Sequence, residues 1–325
     1  MPQDGLTVAV TGPTGDLGIA LVSALERSRR VKRIVGMARR PFDPASRGWR
    51  KTEYRQGDVQ DPDSVRDAVK GADVVVHLAF TVIQASDASR AINVEGSRNV
   101  FETAVASGAE RICYASSVAA YGFHDDNPNW LTEDIPPRGT PTMPYSAQKA
   151  EVEGVLEDAL KKSTRTGAWI FRPCIVAGPT ANTFLRQLPY FQLGERLPDP
   201  VRRFLQGMPV LKPVIPDAGP SFQLVHEDDV ASAFVAGVLG RGTPGPYNLA
   251  ARPIPDAAVE LTAEMVARVP GLPAEVSWLQ AGRKPVWMRT TRAQKELGWK
   301  PKHTAKATLN EMIEAYREEL DRVSD

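Results

Sequence analysis

Two hydrophobic rhythms alternate along the first half of the chain. Leu6–Val10 is a short β-branched run that stops at Thr11-Gly12, and after a glycine-rich turn Ile19–Arg27 carries apolar residues at helical spacing. Arg33–Met37 reads as a second strand, Glu53–Arg55 as a weaker third, and Asp61–Lys70 as a helix. Asp73–Leu78 is almost continuously apolar, as a strand buried on both faces must be. Val94–Ser107 has helical spacing and stops at Gly108, a favourable C-terminal capping residue. Arg111–Ala115 is a further strand, Ser146–Lys162 a long helix and Trp169–Phe171 another strand. Strands alternating with helices of ten or so residues build βαβ units. The pattern therefore predicts an α/β fold with a doubly wound parallel sheet.

The rhythm breaks after Pro179. Residues 180–222 mix Pro189, Pro198, Pro200, Pro209, Pro213, Pro216 and Pro220 with apolar side chains, and read as loops and short helices forming a lid. Order returns with a helix over Asp229–Gly240, a strand over Tyr247–Ala250 and helices over Asp256–Val269 and Thr308–Asp325. This divides the chain into a nucleotide-binding unit, residues 1–179 with 223–250 returning to it, and a smaller C-terminal substrate lobe, residues 180–222 and 251–325.

Composition narrows the partners. The 325 residues carry 40 basic and 39 acidic side chains, a formal net charge of +1. A dedicated nucleic-acid binder needs a large basic excess, so no nucleic-acid partner is expected. The N-terminus lacks a basic segment followed by an apolar one, and no run of about eighteen apolar residues follows. A soluble, cytoplasmic protein without a membrane partner is expected. Cys113 and Cys174 lie far apart in apolar runs, and the spacing of the 4 histidines matches no ligand pattern, so neither a disulfide nor a metal site is expected.

Thr11-Gly12-Pro13-Thr14-Gly15-Asp16-Leu17-Gly18 joins the first strand to the first helix. A turn without Cβ atoms lets backbone N–H groups approach a pyrophosphate, and the helix adds the positive end of its dipole. Gly12, Gly15 and Gly18 are thus candidate dinucleotide ligands. The residue after the second strand selects between cofactors: a carboxylate holds a ribose 2′-hydroxyl, a guanidinium a 2′-phosphate. Here the strand runs into Ala38-Arg39-Arg40, so NADP is expected over NAD. Asp58-Val59, beyond the third strand, is placed to meet the adenine.

Tyr145 and Lys149 stand four apart, on one face of a helix. A phenol titrates near 10, too high for a base at neutral pH, and an adjacent ammonium favours the phenolate. Ser117 ends the run Ile112–Ser117, where it can hydrogen-bond a substrate carbonyl or hydroxyl.

With these residues in place the chain resembles the extended short-chain dehydrogenase/reductases, a group of Rossmann-type NAD(P) enzymes that includes epimerases, dehydratases and reductases. The resemblance rests on Thr11–Gly18, His77-Leu78-Ala79, Asn93–Gly96, Ser116-Ser117, Tyr145–Lys149, Arg172-Pro173, His226–Ala231 and Glu296–Trp299. It implies that Tyr145 is the general acid/base, that Ser117 orients the reacting oxygen, and that Lys149 lowers the tyrosine pKa and holds the nicotinamide ribose. It also implies cofactor contacts from Thr14, Asp16, Leu17, Leu78, Ala79, Phe80, Asn93, Ala115, Pro173 and Cys174. It further implies a homodimer formed through the two long helices, whose Val100, Phe101, Val105, Val152, Val155 and Leu156 either supply a shared apolar face or pack wholly on the sheet.

Departures from the group's sub-patterns narrow the chemistry. Val118-Ala119-Ala120 follows the serine where dehydratases carry an acidic pair. Pro173 and Cys174 stand where sugar-nucleotide epimerases carry an asparagine. The first expectation is an NADP-dependent oxidoreductase interconverting an alcohol and a carbonyl on a small organic substrate. The alternatives are an epimerase of nucleoside-diphosphate sugars and a non-catalytic dinucleotide sensor. The apolar residues of 184–211 fit a hydrophobic substrate or simply the core of the lobe, and the interleaved arginines fit a diphosphate.

Overall fold

The computed structural model describes residues 5–81, 87–181, 223–252 and 286–324. The expected lid over 180–222, apart from its first two residues, and the expected helix Asp256–Val269 lie outside them. Seven strands form one parallel sheet: β1 (Leu6–Thr11), β2 (Val31–Ala38), β3 (Thr52–Gln56), β4 (Val74–His77), β5 (Arg111–Ala115), β7 (Gly167–Pro173) and β10 (Gly245–Leu249). Their order is β3-β2-β1-β4-β5-β7-β10. The chain leaves β1 towards β2 on one side and reaches β4 on the other, so the order reverses beside β1. Ligands of doubly wound sheets bind in the crevice that such a reversal opens.

The apolar runs have the predicted cause. Val74 and Val76 of β4 face one core while Val75 faces the other, and in β1 Val8 and Val10 oppose Ala9 in the same way. Helices α1 (Asp16–Arg27) and α6 (Glu227–Val238) cover the first face with Leu21, Leu25, Val230 and Phe234. The second face is covered by α2 (Pro62–Val69), α4 (Gly96–Ala106) and α5 (Pro144–Leu160). Asp61 caps α2 by accepting from the N–H groups of Asp63 and Ser64, and Gly108 (φ 79°) reverses the chain after α4.

Several boundaries move for identifiable reasons. A short helix, α3 (Asp87–Arg90), and a π turn over Ala91–Glu95 precede α4, so helical structure begins before the apolar spacing suggests while α4 itself starts at Gly96. Helix α5 begins at Pro144, whose missing N–H costs nothing in a first turn, and Tyr145 therefore already lies inside the helix. Capping of α6 falls to His226, whose Nδ1 accepts from the Asp228 N–H. Asp229 accepts from the N–H groups of Lys302 and His303.

Two small parallel pairings escaped the sequence pattern because each strand is only two or three residues long. They are β6 (Trp130–Leu131) with β11 (Trp287–Met288), and β8 (Ile175–Ala177) with β9 (Leu224–His226). The last helix, α7 (Ala305–Ser324), packs against β8 and β9.

Of the two packings open to the apolar face of α4 and α5, the one on the sheet accounts for most of its side chains, while Val105 is only partly buried. Val100, Phe101, Val152 and Leu156 are fully buried and Val155 nearly so, all within the core that joins α4 and α5 to the sheet. These side chains are already used within one chain. Among the described residues no helix is long and apolar enough to cross a membrane.

Candidate active site

The glycine turn follows β1 at the C-terminal edge of the sheet. Gly12 has φ 76°, and a Cβ there would lie 2.9 Å from the backbone nitrogen of Ala79. At Gly18 a Cβ would lie 2.2 Å from the Gly12 carbonyl oxygen. Both glycines are therefore demanded by close backbone approach. Gly15 differs: it is exposed, and a Cβ there would meet nothing closer than 3.6 Å. Gly15 is also the N-cap of α1, and no side chain caps that helix. A bare helix start facing open space fits the pyrophosphate of a dinucleotide. Thr180 Oγ1 donates to the Asp16 carbonyl oxygen (3.1 Å), and buried Glu227 accepts from the N–H groups of Thr180 and Ala181. The turn is thus tied to the segment after β8.

Arg39 and Arg40 lie exposed just beyond β2. Their backbone is held by Tyr54 Oη, which donates to the carbonyl oxygens of Ala38 and Arg40, and by Gln56 Nε2, which donates to that of Arg39. Rings of Trp49 and Tyr54 flank Phe42, at 5.3 and 5.6 Å, and stiffen this corner. Asp58 and Val59 follow β3 at the same edge, where Asn99 Nδ2 donates to the Val59 carbonyl oxygen (3.1 Å).

The segment after β4 runs Leu78-Ala79-Phe80-Thr81. Asn93 brackets it: its Oδ1 accepts from the Thr81 N–H (2.7 Å), and its Nδ2 donates to the Thr81 carbonyl oxygen (2.9 Å). The same Nδ2 donates to Gln148 Oε1 (2.7 Å), joining the segment to α5. The Asn93 amide is thereby engaged with the protein itself.

Ser117 lies two residues past the end of β5 and caps the short 3-10 turn Val118–Tyr121, where its Oγ accepts from the Ala119 N–H (3.2 Å). Ser146 Oγ donates to the Ala119 carbonyl oxygen (2.6 Å) and accepts from the Thr140 N–H (2.9 Å). These bonds stitch the Ser117 turn to the first turn of α5, beside Tyr145. Burial raises the Tyr145 phenol above its ordinary value, and its hydrogen bond with Ser117 pulls it back. The phenol is therefore not lowered by the protein alone, contrary to the simplest reading of the Tyr–Lys spacing.

Lys149 is buried and donates to the Ala115 carbonyl oxygen (2.7 Å). Its Nζ lies 3.5 Å from the centroid of the Phe80 ring, and that ring meets Tyr145 edge-on at 5.6 Å and 89°. Burial pulls the ammonium down to about 7, with the Glu153 carboxylate opposing. Glu153, one turn further along α5, accepts from Arg172 Nε (2.9 Å) and Nη2 (2.6 Å) and from Ser116 Oγ (2.5 Å). Neither Glu153 nor the contact of Phe80 with Lys149 was anticipated. The four-residue spacing Tyr145-Lys149-Glu153 carries the signal for the first.

His77 links β1 and β4 to the first turn of α4: Thr11 Oγ1 lies 2.7 Å from its Nδ1 and Ser97 Oγ 2.8 Å from its Nε2. Ser97 donates its proton to the Asn93 carbonyl oxygen, so Nε2 carries the imidazole proton and Nδ1 accepts from Thr11. Burial pushes this imidazole down to about 3. Pro173 ends β7, and Cys174 is buried with its N–H donating to the Leu249 carbonyl oxygen (3.0 Å). Burial raises both thiols, Cys113 to about 12.

His226, His303 and Glu311 come together with donor atoms within 4.8 Å of one another. The two rings stack at 3.9 Å and 21°, and in-plane lone pairs of near-parallel rings do not converge on one ion. His226 Nε2 meets Glu311 (3.1 Å) and His303 Nδ1 meets Asp229 (3.1 Å). The cluster reads as a clamp that holds α7 against α6.

The C-terminal edge of the sheet thus gathers the glycine turn, the Arg39-Arg40 corner, Leu78–Phe80, Ala115–Ser117, Tyr145 and Lys149. A model of the NAD dependent epimerase/dehydratase family matches residues 8–250. The uncharacterized protein y4nG of Sinorhizobium fredii is 27% identical over 336 residues, covering 95% of this chain and 78% of that protein. An N-acetyl-alpha-D-glucosaminyl-diphospho-ditrans,octacis-undecaprenol 4-epimerase of Escherichia coli O157:H7 is 32% identical over 126 residues, covering 38% of this chain and 37% of its own. The solved structure of MoeE5 in complex with UDP-glucose and NAD has a TM-score of 0.70 at 23% identity, covering 97% of this chain and 100% of that one. That last likeness is one of fold. Because the family model covers all but the first two residues of the seven-stranded sheet and the candidate site at its edge, the chain belongs to the NAD dependent epimerase/dehydratase family, nicotinamide-dependent enzymes of the extended short-chain dehydrogenase/reductase type.

Proposed function

We propose that the protein epimerises a sugar carried on a nucleoside diphosphate, by oxidising and re-reducing one secondary alcohol. The observation that carries the reading is the convergence of Ser117, Tyr145 and Lys149 at a sheet whose first strand runs into the bare start of α1. Sequence alone favours net oxidoreduction. The family, a 4-epimerase relative and a structural neighbour that binds UDP-glucose favour the epimerase, which we take as the first reading.

A bound nicotinamide dinucleotide supplies the capacity to accept and return hydride. The chain's own residues handle the proton. As phenolate, Tyr145 takes the O–H proton of the substrate alcohol and later gives it back. Ser117 Oγ already accepts from the Ala119 N–H, which leaves its own hydrogen to donate to the phenolate or to the reacting oxygen. An ammonium at Lys149 supplies the positive charge that offsets the burial of Tyr145. Gly15 and the first turn of α1 hold the pyrophosphate.

Net dinucleotide turnover tests the reading. Incubation with UDP- and dTDP-sugars should interconvert epimers, read by proton NMR, without accumulation of the reduced dinucleotide. Stoichiometric conversion of added dinucleotide would instead support the second reading, an NADP-dependent oxidoreductase. A specific observation favours that alternative: exposed Arg39 and Arg40 stand where a carboxylate would hold a ribose 2′-hydroxyl. On that reading NADP binds more tightly than NAD, and Arg39→Ala weakens NADP selectively, by roughly tenfold. Binding of either dinucleotide with no turnover of any sugar or carbonyl would contradict both.

A further inference from the structure

We propose that Phe80 is a positioning residue for Lys149: its ring face holds the lysine side chain in a buried site and favours the charged form. This deepens the reading above and rests on it.

The ring is fixed in place from both sides. On one side Ala79 abuts Gly12 so closely that the glycine has no room for a Cβ. On the other, Asn93 closes two hydrogen bonds on Thr81 and a third on Gln148, the neighbour of Lys149. Phe80 therefore meets α5 at a set height, with Nζ 3.5 Å from its centroid. The rings of Tyr114 and Tyr145 stand farther off, at 5.2 and 5.7 Å.

Charge reaches Lys149 from few directions among the described residues. On α5, Glu153 is the carboxylate that opposes desolvation, yet its oxygens are engaged by Arg172 from β7 and by Ser116. From β4 comes His77, which burial keeps neutral. From β5 comes Tyr114, whose phenol burial keeps protonated. Tyr145 is the remaining titrating group. An ammonium has three N–H bonds. One is given to the Ala115 carbonyl oxygen and a ring face is close beside it, so further N–H capacity is left for the reaction site. A π face favours an ammonium over an amine, so its loss should ease deprotonation.

Binding of NADH and NADPH, followed by their fluorescence, tests this in a Tyr145→Phe background, where the phenol no longer titrates. Affinity should fall as pH rises through the Lys149 titration. Phe80→Leu should move that midpoint down by about half a unit or more, and Phe80→Tyr, which keeps the face, should restore it. Phe80→Met is a second ring-free variant should leucine disturb the fold, which thermal melting reports. A midpoint unchanged in both ring-free variants, with affinity lowered evenly at all pH values, makes Phe80 a space filler and overturns the proposal. Lys149→Ala separates the two layers. If that variant binds as the parent does, with the same pH profile, the assigned role of Lys149 fails and not merely that of Phe80.

Discussion

Glu153 and Arg172 form a bidentate ion pair inside the protein, with N···O distances of 2.9 and 2.6 Å and side chains 5% and 3% exposed. The pair joins α5 to β7, and the Arg172 guanidinium also lies 4.5 Å from the Tyr121 ring centroid. Breaking a buried pair leaves one charge without compensation. Glu153→Ala should therefore cost about 3–5 kcal/mol in urea unfolding, and replacing both residues by apolar ones of similar size should recover much of that. A loss under about 1 kcal/mol for the single variant would contradict the assignment.

His77 predicts an acid sensitivity. Its folded value of about 3 lies below the ordinary 6.5 because burial disfavours the imidazolium. Between those values the unfolded chain binds the extra proton, so stability rises with pH across that window. Equivalently, stability is lost as pH falls from about 6.5 towards 3, by up to ~1.4 kcal/mol per unit. Denaturant unfolding across that range should show this slope, and His77→Asn should flatten it by about one proton.

Thr180 connects the glycine turn to the loop that Glu227 holds. Thr180→Val removes the bond to the Asp16 carbonyl oxygen and keeps the volume of the side chain. Dinucleotide affinity measured by titration calorimetry should fall a few fold, with stability changed by no more than about 1 kcal/mol. Unchanged affinity would separate this loop from the site.

Tyr114 makes the opposite kind of prediction. Its hydroxyl is buried with no hydrogen-bond partner among the described residues, and its ring packs against His77 and Phe101 with the Lys149 ammonium 5.2 Å from its centroid. Tyr114→Phe removes a polar atom that gains nothing in the core. Stability should hold or rise, by up to about 1–2 kcal/mol, and a clear loss in thermal melting would reveal a partner for the hydroxyl.

Periodicity accounts for what the sequence made legible. The triple valine of β4 reads as a strand buried on two faces because each alternate side chain meets a different core. Gly12 and Gly18 are readable because close backbone contact excludes every other residue there. Tyr145 and Lys149 are readable because four residues make about one helical turn. What stayed hidden depends on contacts between distant segments. Nothing local in Phe80 announces a lysine on α5, and nothing in Asp229 says that it will accept from residues 302 and 303 while His226 caps the helix. The apolar faces of α4 and α5 looked equally suited to a partner chain or to the sheet, and only packing assigned Val100 and Leu156 to the core.

Tyr145→Phe is the most direct test of the central claim, that the protein moves a substrate proton through this phenol. The substitution removes one oxygen and leaves the ring against Phe80. Steady-state turnover with a converted sugar nucleotide should fall by about 10²–10⁴-fold, with dinucleotide affinity kept within a few fold. Turnover equal to that of the parent chain would contradict the account.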